Sequence, residues 1–146
     1  MYEYPINIHQ EPDHFWSTCP DIPEAHSAAD SADELVRAAQ DGITLALTIY
    51  VDRNIAIPQA SAPSDGQRVV LLPATVIAKI TLWNAMVAKG MRVADLARKL
   101  SLSHTVASRL VDMEHNSKIE QVEAALFVLG YRLRIVPELI PESLVG

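Results

Sequence analysis

Val93-Ala94-Asp95-Leu96-Ala97-Arg98-Lys99-Leu100-Ser101-Leu102-Ser103-His104-Thr105-Val106-Ala107-Ser108-Arg109-Leu110 is the stretch on which the architecture turns. Two short helices that cross steeply need inward-facing apolar residues on both, a small residue where the backbones approach, and a tight turn with a capped second helix. These 18 residues supply each part. Leu96, Leu100, Leu102, Ala107 and Leu110 form the interior, Ala97 is the small residue at the crossing, and Ser101 occupies the turn. Ser103 is a natural N-cap, since its hydroxyl can accept from an orphan first-turn amide. The pattern predicts one helix over Val93–Leu100 and another over Ser103–Met113. Such a turn favours glycine for its easy positive φ, so Ser101 predicts a turn that is slightly strained or differently shaped.

On the N-terminal side of this pair, Val76, Ile77, Ile80, Trp83, Asn84 and Val87 recur at helical spacing. Pro73 stands in the favoured first-turn region and Gly90, just past Lys89, is a stop. On the C-terminal side, Lys118–Leu129 is amphipathic and ends at Gly130. Tyr131, Leu133 and Ile135 then alternate with Arg132 and Arg134, which predicts a terminal strand reaching Val136 with one apolar and one basic side. Residues 73–146 are thus expected to form an all-α domain closed by a short C-terminal strand.

Residues 1–72 have a different period. Tyr2, Tyr4, Ile6 and Ile8 alternate with Glu3, Asn7 and His9, the pattern of a half-buried strand. Glu11-Pro12-Asp13 makes a turn, Phe15–Cys19 suits a second strand that Pro20-Asp21-Ile22-Pro23 stops, and Ala25–Ala29 suits a third. Ser31 and Glu34 have capping-box spacing, so a helix is expected to start there and run to residue 52. Its face is Leu35, Ala39, Ile43, Leu47 and Tyr50 or Val51. Composition alone makes residues 58–67 a linker. The apolar run Arg68–Leu72, as a last strand of the first sheet, instead moves the boundary to Pro73 and puts that loop inside the first domain. The fold class is α+β.

Composition narrows the function. At 146 residues, 49% hydrophobic and 21% charged, the chain is a globular protein of one ordinary domain or two very small ones, and not a large enzyme. The longest apolar stretch without charge, Val69–Ala78, is too short for a bilayer span, so no membrane crossing is expected. The N-terminus lacks the pattern of a secretion signal and Cys19 has no disulfide partner, which together predict a cytoplasmic protein. The net charge of -6 is unevenly spread. Residues 1–72 carry 11 acidic against 3 basic side chains, and residues 73–146 carry 7 against 9. A basic half suits a polyanion, and an acidic half suits a cationic partner or simply solubility.

The segment Val93–Leu110 resembles, without a gap, the helix-turn-helix of phage-repressor-like regulators. In that motif the first turns of the second helix enter the major groove. The resemblance places His104, Thr105, Ser108 and Arg109 nearest the base edges, with Arg109 suited to a bidentate guanine contact. Ser103, Arg92, Asn116 and Lys118 would meet backbone phosphates. A basic excess of only two charges is small for a monomeric DNA binder, so the expected form on double-stranded operator DNA is a homodimer or higher oligomer. The long helix and the Tyr131–Val136 strand are available surfaces, although packing within one subunit explains the same pattern equally well.

The first domain carries a second resemblance. Phe15-Trp16-Ser17-Thr18-Cys19-Pro20-Asp21-Ile22-Pro23-Glu24, followed by Ser27 and Asp30-Ser31-Ala32-Asp33-Glu34-Leu35, resembles the N-terminal domain of HicB antitoxins. Together with the helix-turn-helix, the likeness spans nearly the whole chain, with Glu24 where the family usually has glycine and Ala38 where it usually has asparagine. It implies a partial ribonuclease-H-like βββαβ domain in residues 1–72 that neutralises a toxin, and a DNA-binding and dimerisation domain in residues 73–146. The implied partner is a HicA-type toxin, a small basic mRNA-cleaving protein. Asp21 and Glu24 are the candidate toxin contacts.

No enzyme is expected. Ribonuclease-H chemistry needs carboxylates holding two metal ions about 4 Å apart, one of them on the first strand. That strand offers only Glu3, Asn7 and His9. Cys19 and the scattered His9, His14, His26 and His115 lack ligand spacing for zinc, and no phosphate loop or nucleophile elbow occurs, so no cofactor or metal is expected. Two competing readings are a repressor whose first domain senses a small molecule, and a residual nuclease.

Overall fold

A computed structural model describes residues 2–142. The N-terminal half runs β1 (Glu3–Gln10), β2 (Phe15–Thr18), β3 (His26–Ala29), α1 (Ala32–Asp52) and β4 (Arg68–Leu71). The C-terminal half runs α2 (Ala74–Ala88), α3 (Val93–Leu100), α4 (His104–Arg109) and α5 (Ile119–Val128). The protein is α+β, with a four-stranded antiparallel sheet in the order β3-β2-β1-β4. β1 divides its edges: Asn7–Gln10 pairs with β2, and Glu3–Ile6 pairs with β4. Pro5 falls where β1 has a neighbour on one side only, a position that tolerates its missing N–H.

α1 lies against β2, β3 and β4. The Ser31 hydroxyl accepts from the Glu34 amide and caps its start, as the spacing predicts. The buried stripe is Leu35, Ala39, Ile43, Ala46, Leu47 and Tyr50. Each large apolar side chain sunk here contributes roughly 1.5–3 kcal/mol, and Tyr4 and Ile6 of β1 complete the layer. One glycine is required by a close approach: a Cβ on Gly42 would stand 2.4 Å from Ser27 Oγ and 3.1 Å from the His26 carbonyl oxygen.

Residues 53–67 are pinned along the body. Tyr4 Oη donates to the Pro58 carbonyl (2.6 Å), and the Asn84 amide of α2 brackets Ile57, accepting from its N–H (2.8 Å) and donating to its carbonyl (2.9 Å). Trp83 Nε1 donates to the Ile55 carbonyl. Most buried apolar residues of both halves, from Tyr4 to Leu129, form one continuous core. No helix among the described residues is long and apolar enough to cross a membrane.

Three expectations are corrected. Tyr131–Val136 is not a strand, since among the described residues no other strand lies beside it and both edges of the sheet belong to the N-terminal half. An extended segment becomes a strand only when a neighbour takes its amides and carbonyls. The second helix of the crossing pair ends at Arg109, not Met113. There the amides of Leu110, Val111 and Asp112 reach back three residues, to Ala107, Ser108 and Arg109, in tight turns that replace the α-helical ladder, and the Asp112 side chain accepts from the Glu114 amide. Leu102 is 38% exposed and so is not interior.

Candidate nucleic-acid and partner interfaces

α3 and α4 pack through Leu96, Ala97, Ala107 and Leu110, all buried, around the turn Ser101–Ser103. Ser101 adopts φ 54°, ψ 43°, the left-handed region a glycine usually fills. Its conformation lets the Leu102 amide reach the Ala97 carbonyl (2.9 Å) and its own amide reach Arg98 (3.3 Å). This six-to-one and five-to-two pair closes α3 as a Schellman motif. At the other end of α3, the Asp95 carboxylate accepts from the Arg92 amide (2.9 Å) and pairs with the Arg98 guanidinium.

Ser103 Oγ accepts from the Val106 amide (3.2 Å) and caps α4. His104, Thr105 and Arg109 are exposed on α4, and Ser103 is exposed at its start. Ser108 is set apart from them. It is half-buried, its hydroxyl donates to the Thr105 carbonyl, and it lines a cleft of about 400 Å³ with Thr48, Val51 and Asp52 of α1. Arg92 is exposed at the N-cap of α3, Lys118 at the N-cap of α5, and Asn116 in the loop before α5.

The two acidic candidates of the N-terminal half both hold the chain to itself. Asp21 accepts from the Ser61 amide (2.9 Å) and from its hydroxyl (2.6 Å), fixing the loop before β4. Glu24 accepts from Tyr50 Oη (2.7 Å) at the far end of α1. Burial and that carboxylate push the Tyr50 phenol up to about 12. A carboxylate offers about four acceptor positions, and Glu24 is exposed, so each keeps capacity for a cationic side chain. Across the sheet, His9 stacks on Trp16 with ring centroids 4.0 Å apart. Among the described residues no three His, Cys, Asp or Glu side chains converge to hold a metal ion.

A family model for the HicB_like antitoxin of bacterial toxin-antitoxin systems matches residues 3–81, from β1 into α2. The chain belongs to the HicB-like antitoxin family. Similarity to HicB antitoxins extends through both halves. An Antitoxin HicB of Pseudomonas fluorescens is 42% identical over 139 residues, covering 94% of this chain and 95% of that protein. Antitoxin HicB 2 of Photorhabdus laumondii is 32% identical over 133 residues, covering 91% and 94%. An Antitoxin HicB of Escherichia coli is 28% identical over 134 residues, covering 91% and 97%.

In this HicB-like chain, Asn84, which the helical period includes, and Lys79, which it omits, both carry long-range contacts from α2. Asn84 bridges the halves, donating also to Tyr2 Oη (3.0 Å). Lys79 is buried against the end of α4 and the loop that follows it. The available signal was a charged residue between Val76 and Ile80, on a stripe that otherwise reads apolar.

Proposed function

We propose that this protein is a non-enzymatic cytoplasmic antitoxin that binds and inhibits a small, basic, mRNA-cleaving toxin of the HicA type and represses its own operon. In this reading the acidic ribonuclease-H-like N-terminal half covers the toxin's cationic face, where charge complementarity speeds association and excludes wrong partners. The order βββαβ of residues 3–71 supports it. Asp21 and Glu24 contribute to that surface as the acidic rim around the turn after β2.

The helix-turn-helix formed by α3 and α4 binds double-stranded operator DNA. The observation that carries this is a capped α4 holding His104, Thr105 and Arg109 outward from a tightly closed turn. Arg109 reads a base edge, and His104 and Thr105 reach bases or phosphates. Ser103, Arg92, Asn116 and Lys118 contact the phosphate backbone, and Ser108 supports α4 from its cleft side. The active species is a homodimer or higher oligomer. Phe127 (74% exposed), Ile135 (79%) and Val136 (69%) lie on and beyond α5, and the alternating segment 131–136 has among the described residues no strand partner, which a second copy would supply.

Two measurements test this reading. Arg109→Ala is expected to abolish operator retention in a gel shift while leaving the circular dichroism spectrum intact, and unchanged retention overturns the DNA assignment. Co-expression with the product of the adjacent reading frame, followed by mass measurement, is expected to yield a complex with a short basic protein that is toxic alone. Absence of such a frame, with no basic partner bound, overturns the antitoxin assignment.

A further inference from the structure

Lys79 is 1% exposed, on the face of α2 that also buries Val76, Ile80 and Trp83. Its ammonium donates to three backbone carbonyls, those of Arg109 (2.9 Å), Asp112 (2.8 Å) and His115 (2.6 Å). An ammonium has three protons, so every donor is used. The same carbonyls also accept local amides: Asp112 N to Arg109 (3.3 Å), His115 N to Asp112 (3.1 Å) and Ser117 N to His115 (3.1 Å). Ser117 Oγ adds a bond to the Arg109 carbonyl (3.3 Å). The chain between α4 and α5 is therefore wound about one cation anchored on a different helix.

Such a cation is an expensive way to fill space. Burial pushes Lys79 down to about 8, with Asp112 opposing. A well-packed apolar side chain of similar volume is often neutral or stabilising in place of a buried charge, so a retained charge is better understood by the geometry it fixes. The fixed elements are the carbonyl end of α4, which bears Arg109, and the loop that bears Asn116.

We propose that Lys79 is the positioning residue of the DNA-reading surface: it sets where α4 and the loop 110–117 sit on α2, and through them the placement of Arg109 and Asn116. The inference rests on the operator-binding function proposed above and adds to it a residue that never touches DNA.

The test uses the full chain with Lys79→Met, close in length but without charge or donors, and Lys79→Gln, a shorter neutral arm with two donors. Amide hydrogen exchange is read first. Hydrogen bonds to a charged group are among the stronger ones, so exchange at Asp112, His115 and Ser117 is expected to quicken about tenfold or more in Lys79→Met, and less in Lys79→Gln. Amides of the N-terminal sheet are expected to keep their rates. Unchanged exchange at those three amides in both variants overturns the proposal, whatever the protein does on DNA. Operator affinity is read second. Lys79→Met is expected to weaken it about tenfold or more, and Lys79→Gln less. Affinity unchanged in both variants, or lost together with protection of the N-terminal sheet amides, would mean that Lys79 has no effect on the surface or acts through general stability, and either result overturns positioning. A wild-type chain that retains no operator refutes the DNA reading instead, and the exchange data then decide whether Lys79 fixes α4.

Discussion

Gly42→Ala sets two physical effects against each other on α1. Helix propensity favours alanine over glycine in a helix interior by about 1 kcal/mol, so a reading that ignored β3 would predict stabilisation. The new Cβ, however, would lie 2.4 Å from Ser27 Oγ and 3.1 Å from the His26 carbonyl oxygen. The hydroxyl can rotate away, but it then gives up its bond to the Ala38 carbonyl (3.1 Å), a loss of about 0.5–1.5 kcal/mol. The strand backbone at His26 cannot rotate away, and overpacking of this kind costs about 1–3 kcal/mol. The steric and hydrogen-bond losses win, and Gly42→Ala is expected to destabilise the protein by about 1–3 kcal/mol net. Urea denaturation of four proteins measures it: wild type, Gly42→Ala, Ser27→Ala and the double variant. Because Ser27→Ala removes the nearer obstacle, the double variant is expected to lose less than the sum of the singles. A raised urea midpoint for Gly42→Ala, or strictly additive losses, would refute the claim that α1 and β3 touch at this point.

Ser101→Gly is expected to raise the thermal midpoint. A non-glycine residue in the left-handed region costs about 1–2 kcal/mol, part of which glycine forfeits in the unfolded chain, leaving a gain of up to about 1 kcal/mol; a lowered midpoint counts against the turn geometry. The Tyr50 phenol is expected to titrate near 12 by ultraviolet absorbance, and lower, though still above 10, in Glu24→Gln. Because that folded-state value lies above the ordinary 10.0, the stability it contributes is complete below pH 10 and is lost as pH rises towards 12. Tyr4, pushed up by burial, acts in the same direction. An unchanged Tyr50 midpoint in Glu24→Gln would show that the carboxylate does not bear on the phenol.

Local structure was legible where its causes lie within a few residues. The strand at β1, the Ser31 and Ser103 caps and the helical stripe of α1 each declare themselves in short windows and form where expected, whereas α2, a helix as expected, buries Ala78, Lys79, Leu82, Ala85 and Met86 beyond its expected stripe. The place of the Ser101 turn was legible too, because a Schellman closure spans six consecutive residues, while the structure decides that Ser101 takes the positive φ. The candidate DNA residues could be named for the same reason, as a capped second helix fixes which side chains follow the cap.

Tertiary structure decided what depends on partners far along the chain. Tyr131–Val136 has the alternation of a strand but, among the described residues, no neighbour to pair with, and alternation alone cannot supply one. Past the end of α4 the chain winds around a lysine 30 residues earlier, which donates to the Arg109 carbonyl. Gly42 is constrained by β3, and Asp21 is held by Ser61, 40 positions away. The sequence determines which segments can become helix or strand, because backbone sterics, capping and side-chain period are local. Only the folded chain decides which carbonyls a buried cation reaches and which extended segment finds a partner, because those bonds require closing loops of tens of residues.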